Sequence, residues 1–187
     1  AEAGVLAFGE MFAAPSSYGS ALTPEVIARV TKEAAAIGKL ITVHAEEVAP
    51  GEVHSLSEHA LSRPASGETK TISLVNSLAP ENAKLHYCHI SSTDSFSAMK
   101  PGSTFEVAPH HLFLSYETAK NAADTHMRMN PPLREESERK RLLAAFDKIN
   151  VIASDHAPHT ITEKSAEFAS APSGIPGVET MLPLLMN

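Results

Sequence analysis

Three short apolar runs in this chain each stop abruptly in ionisable side chains: LITVHAEE at residues 40–47, LHYCHISS at 85–92 and VIASDHAPHT at 151–160. Each run has the length of a buried strand. A carboxylate or an imidazole at the end of such a strand is costly to hold there unless it binds a metal, a substrate or another such group. One run of this kind means little. Three that deliver His44, His89 and Asp155 at the same, carboxyl-terminal end read as one site.

The rest of the chain fits strands alternating with helices. Residues 5–10 (VLAFGE) form an apolar strand ending in Gly9 and Glu10, followed by a Pro-, Ser- and Gly-rich loop over 14–21. Thr23-Pro24-Glu25 is a helix start, with a threonine cap, proline in the first turn and an early acid. Val26, Ile27, Val30, Ala34 and Ile37 recur at helical spacing, and Gly38 ends the helix. A strand over 40–45, a polar loop to 63–64, a helix over 66–78 and a strand over 84–90 come next. A short helix after Ser92, a strand over 103–107 and an irregular stretch over 112–123 follow. The MNPPL segment at 129–133 cannot be helical, because Pro131 and Pro132 lack backbone donors. An amphipathic helix over 135–149, with Leu142, Leu143, Phe146 and Ile149 as its buried stripe, leads to the strand 150–154. A loop without apolar periodicity (160–177) precedes a last helix from Val178.

Alternation of this kind implies parallel strands with crossover helices. Ligands converging from several strand ends favour a (β/α)8 barrel over an open sheet, since a barrel aims all its strand ends at one axis. Residues 1–187 read as one α/β domain. The opening AEAGVLAFGE without an initiator Met, and the ending LPLLMN inside a helix, lead us to expect an internal piece of a larger protein.

Composition narrows the class. Fifteen Lys and Arg stand against 22 Asp and Glu, a net charge of −7. That argues against a nucleic-acid footprint or an anionic-membrane surface, both of which want basic patches. No apolar run approaches the roughly 18 residues that cross a membrane. The single cysteine, Cys88, rules out an internal disulfide and suits a reducing cytoplasm. By strand alternation Cys88 points away from the face of His89, into the core.

His44, His89 and Asp155 suit Zn²⁺, with one position left for water. Asp155 can also shuttle a proton between that water and a leaving nitrogen. Glu10 is a further possible metal neighbour. His159, in a loop stiffened by Pro158, is placed to bind an anionic group, and Asn130, held by the prolines after it, to read a polar ring edge. His54, His59, His86 and His126 read as structural, as do His110 and His111, although their place after Pro109 at a strand end would also let them stand behind the metal ligands. Glu46 and Glu47 read as capping or solvated groups.

The motifs VHAEE, CHISS, EVAPHHLFLS, MNPPLR, ASDHAPHT and SGIPGVETMLPLL, in this order, resemble the dihydroorotases of the amidohydrolase superfamily, in the long-chain form of archaea and many bacteria. Allantoinases and hydantoinases share the scaffold. The Asn of MNPPLR and the last His of SDHAPH are more similar to dihydroorotases. The resemblance implies a partial TIM-type barrel that lacks the N-terminal strands and the C-terminal segment. It also implies a cytoplasmic, zinc-dependent enzyme of pyrimidine biosynthesis that interconverts N-carbamoyl-L-aspartate and L-dihydroorotate. His44 and His89 would ligate one or two zinc ions and Asp155 would be ligand and acid/base. His159 would meet the substrate carboxylate, and Asn130 the ring, with Pro176 and Gly177 of the 174–177 loop beside it. Aspartate transcarbamoylase or further copies of the protein would be the partners. The His-x-His-x-Arg triplet of that family, two zinc ligands and an anion-binding Arg, does not occur in the 187 residues. Nor does the first strand carry the family's bridging Lys, for which Glu10 is the nearest charged substitute. This piece is therefore expected to be inactive alone, and a non-catalytic scaffold is the rival reading.

Overall fold

The computed structural model of the chain describes residues 4–14 and 21–186. Most of the expected Pro-, Ser- and Gly-rich loop, residues 15–20, lies outside the described residues. Five strands form one parallel sheet: β1 (Ala7–Phe12), β2 (Leu40–His44), β3 (Lys84–Tyr87), β4 (Thr104–Val107) and β5 (Val151–Ile152). Their order in the sheet is their order in the sequence. A doubly wound sheet reverses direction at a switch point, whereas unbroken sequential order is what a (β/α)8 barrel requires. The sheet is an arc of such a barrel.

The connections include α1 (Pro24–Ala36), α2 (Leu56–Ser62), α3 (Ala65–Leu78), α4 (Pro109–Phe113) and α5 (Glu136–Ala144). After β5 come a four-residue turn of helix, α6 (Ile161–Lys164), and α7 (Val178–Met186). None of the described helices is long and apolar enough to cross a membrane.

Strand alternation divides the sheet into two faces. Ile41 and Val43, Leu85 and Tyr87, and Phe105 and Val107 meet Ile27 and Ala34 of α1, Ile72 and Val75 of α3 and Leu142 of α5 in one apolar core. Burying each large aliphatic side chain there contributes about 1.5–3 kcal/mol. The opposite face is polar: the His86 ring bridges Thr104 Oγ1 (2.7 Å) and Glu106 Oε2 (3.0 Å) across β3 and β4. Cys88 belongs to this second face. Burial first, then the carboxylates of Glu10 and Glu106, raise its thiol pKa well above the usual value. It is half-buried rather than a core residue, because alternation places it with His86, opposite the core residues Leu85 and Tyr87.

Helix α1 starts as its sequence demands, with Thr23 Oγ1 accepting from the Val26 N–H and Pro24 in the first turn. It stops at Ala36, which leaves Ile37 half exposed. Helix α2 lies where a polar loop was expected. Seven residues are too few to show a period, yet Leu56, His59 and Ala60 are its buried stripe, and Ser55 Oγ caps it by accepting from the Glu58 N–H at 3.2 Å. Helix α5 is shorter than expected and gives way to a 3₁₀ turn at Phe146–Lys148. Leu142 is buried as expected, but Leu143 and Phe146 are exposed. Glu138, one turn before Leu142, completes the buried side by accepting from the N–H and Oγ1 of Thr93.

Candidate metal centre

Three adjacent strands deliver the centre. β1 carries a bulge between Phe8 and Met11, where it pairs with β2. Gly9 makes the bulge possible: its φ is +132°, and a Cβ there would stand 2.6 Å from the Thr42 carbonyl oxygen and collide with Thr42 Oγ1. A bulge re-aims the side chain beside it, and here that is Glu10. His44 is the last residue of β2. His89 sits just beyond β3 with φ at +37°, and Asp155 beyond β5 at +45°. Left-handed backbone is unfavourable for non-glycine residues, and such strain collects at functional sites.

Glu10, His44 and His89 each offer one ligand atom, all within 4.8 Å of one another. Glu10 Oε1 lies 2.7 Å from His89 Nε2 and 3.7 Å from His44 Nδ1. The two imidazoles meet edge to face at 4.6 Å between centroids. A carboxylate oxygen and two imidazole nitrogens converging on one point are a donor set that fits Zn²⁺ or a similar divalent cation. Asp155 lines the same cleft but is not one of this trio. Glu10 thus stands with the imidazoles, and Asp155 shares the cleft with them.

The electrostatics follow from this packing. Burial alone would raise the Glu10 carboxyl, but the imidazoles of His44 and His89 outweigh it and hold it far below the usual carboxylate range. Burial alone would lower His44, but Glu10 and Glu46 raise it to about 9. His89 is raised against burial by Glu10 and Asp155. Asp155 is raised, first by burial and then by Glu10, with His89 opposing.

Behind the trio lies a group that its sequence context did not reveal. Glu46 is buried, not a solvated cap: its Oε2 accepts from His44 Nε2 at 2.6 Å and from Arg63 Nη1 at 2.5 Å. With Nε2 engaged by Glu46, His44 presents Nδ1 to the centre. A carboxylate behind an imidazole ligand is the usual way its ring is oriented. Glu46 and Glu47 look alike in the sequence, and only Arg63, distant in the chain, distinguishes them.

The cleft over the trio, about 200 Å³, is lined by Phe12, Asn130, Asp155, Ala157, His159, Ser173 and Gly174. His159 Nε2 donates to the Ser173 carbonyl at 3.1 Å. Gly174 packs so closely that a Cβ would come 2.6 Å from the Ala157 carbonyl oxygen. Asn130 and His159 therefore reach the cleft, as does the start of the 174–177 loop. Pro176 and Gly177 line a neighbouring apolar pocket with Phe113 and Leu184 instead. Gly177 is fixed there by its N–H to His156 Nδ1 (3.1 Å) and by contact with Ser154.

Two histidines read as structural also touch the site. His110 Nε2 is 3.7 Å from Asp155 Oδ2. His59, on α2, contacts Asn130. No signal in the sequence links either to its partner, since both contacts are made by residues far apart in the chain. A larger, open groove of about 550 Å³ between His54 and Phe168 brings together no metal-type trio among the described residues.

No family model matches the chain. Among curated proteins it is 34% identical to the dihydroorotase of Methanosarcina acetivorans, over 98% of this chain and 44% of that protein. It is 38% identical to the dihydroorotase of Archaeoglobus fulgidus, over 98% and 42%. Among solved structures, a D-hydantoinase superposes with a TM-score of 0.84 at 21% identity, covering 99% of this chain and 46% of that one. The L-hydantoinase of Arthrobacter aurescens gives 0.83 at 23% identity, covering 94% and 44%. These solved structures share the fold. Over nearly all of its residues the chain is a homologue of the dihydroorotases, and it spans somewhat under half of their length.

Proposed function

We propose that the protein carrying this chain is a zinc-dependent dihydroorotase, interconverting L-dihydroorotate and N-carbamoyl-L-aspartate in the cytoplasm. The observation that carries the reading is the convergence of Glu10, His44 and His89 beneath a cleft lined by Asp155, Asn130 and His159, in a chain homologous to dihydroorotases throughout.

Glu10, His44 and His89 would hold the cation, which when bound supplies Lewis acidity to the cyclic amide. Asp155, facing the trio, takes the proton of the attacking water as its oxygen bonds to the carbonyl carbon. It returns that proton to the ring nitrogen as the C–N bond breaks, and ring closure runs the same path backwards. His159 meets the substrate carboxylate, and Asn130 binds the ring. Ser173 and Gly174 close the wall, and the adjacent Pro176 and Gly177 hold the loop that carries them.

The test is turnover of dihydroorotate by the full-length protein with its metal content measured, beside hydantoin and allantoin. Dihydroorotate preferred, with zinc present, is the expected result. Preference for hydantoin or allantoin would make the protein a different cyclic amidase. A metal-free, inert protein that binds aspartate transcarbamoylase would make it a scaffold. The retained trio speaks against a scaffold, which has no physical need of it.

A further inference from the structure

His59 is the buried group that the proposed mechanism leaves unused. Only 2% of its surface is exposed, and it sits on the inner side of α2. Its Nε2 lies 3.0 Å from the Met129 carbonyl oxygen and 2.9 Å from the Asn130 side chain. A backbone carbonyl can only accept, so Nε2 must carry the proton. The Asn130 atom facing that same proton must then be its oxygen, which settles the orientation of the amide. Burial, with Arg63 and Arg128 nearby, lowers the His59 pKa to about 4, so the ring is neutral and has this single tautomer. Phe168 packs edge-on against it at 6.2 Å between centroids.

With Oδ1 turned to His59, the opposite edge of the amide carries the two Nδ2 hydrogens. Among the described residues Nδ2 has no hydrogen-bond partner, and Asn130 forms part of the cleft wall. We propose that His59 is a positioning residue which locks the Asn130 amide donor-side inward, so that the ligand group meeting Asn130 is an acceptor, a carbonyl or carboxylate oxygen. This deepens the dihydroorotase reading and rests on it for the identity of the ligand. The locking itself rests on the geometry alone.

Two measurements on the full-length, metal-loaded protein test it. The first is independent of any substrate: long-range proton–nitrogen NMR correlations of the His59 ring at neutral pH. The neutral Nε2–H tautomer is expected, and an Nδ1–H tautomer or an imidazolium overturns the proposal. The second uses dihydroorotate as probe in a double-mutant cycle. H59L should raise KM by about ten-fold, the worth of one well-aligned hydrogen bond. Metal content should stay unchanged, because His59 touches none of the trio. H59Q, whose amide can donate from nearly the same place, should restore most of the loss. In an N130A background H59L should cost little more, since residues acting through one contact are non-additive. Equal loss with and without Asn130, or no rescue by glutamine, reduces His59 to a packing residue and overturns the proposal. If the unaltered protein neither binds nor turns over dihydroorotate, the functional reading and the ligand assignment fall together, while the tautomer still decides the locking.

Discussion

At the level of single residues, what the sequence displays is the end of a strand, and what it hides is the company kept there. His44 was recognisable because an apolar run of strand length ends on it. Glu10 carried only a loose case: its aim depends on the bulge at Gly9, and nothing local announces that Thr42 leaves no room for a Cβ. Replacing Gly9 by Ala should force β1 off Thr42, turn Glu10 away and abolish tight cation binding, read by metal titration. Glu46→Gln keeps the shape but removes the charge between Arg63 and His44. It should weaken metal affinity by about 10–100-fold, the usual cost of losing such a partner, with the fold intact by circular dichroism.

Buried histidines also set a pH response. His59 takes a proton only below about pH 4 in the folded chain but near 6.5 when unfolded. Burial and then the nearby charges of His110, Arg134 and His89 hold His111 well below its usual value too. Between those limits the unfolded chain binds more protons, so stability falls as pH falls from about 6.5 toward 4. Thermal unfolding should show the midpoint dropping over that window, with a smaller drop in H59L. A flat profile would contradict the buried, neutral state of the ring.

Among the elements, long strongly periodic pieces were legible and short ones were not. α1 announces itself by cap, proline and stripe. α2 is two turns long, and its buried positions include a histidine, so its sequence reads as polar loop. The structure gives α2 two duties: His59 holds Asn130, and Arg63, just past its end, holds Glu46. Removing its cap with Ser55→Ala should cost about 0.5–2 kcal/mol. Because both arms leave from this helix, the variant should also loosen metal and ligand binding together, whereas H59L should affect ligand alone. Calorimetric titration with each would separate the two. Of the apolar stripe expected over 135–149, Leu142 is buried and Ile149 packs against the core, while Glu138 takes a buried place through its bonds to Thr93, a tertiary contact that no periodicity encodes.

Across the whole molecule, the parallel arrangement of strands and the carboxyl end at which ionisable groups gather were readable from the alternation of strand and helix and from where the apolar runs stop. The division into an apolar face and a polar face was not, because His86 and Glu106 lie in short strands whose pattern is too brief to assign sides. Asn130 and His159 arrive on irregular segments, so their place beside the imidazoles was read from their motifs and not from any periodicity. Three neighbouring, successive strands supply the whole trio, while Asp155 and His159 come much later in the chain. A cation held by Glu10, His44 and His89 would therefore tie these three strands to one another, with Asp155 and His159 joining it from the far end of the sheet.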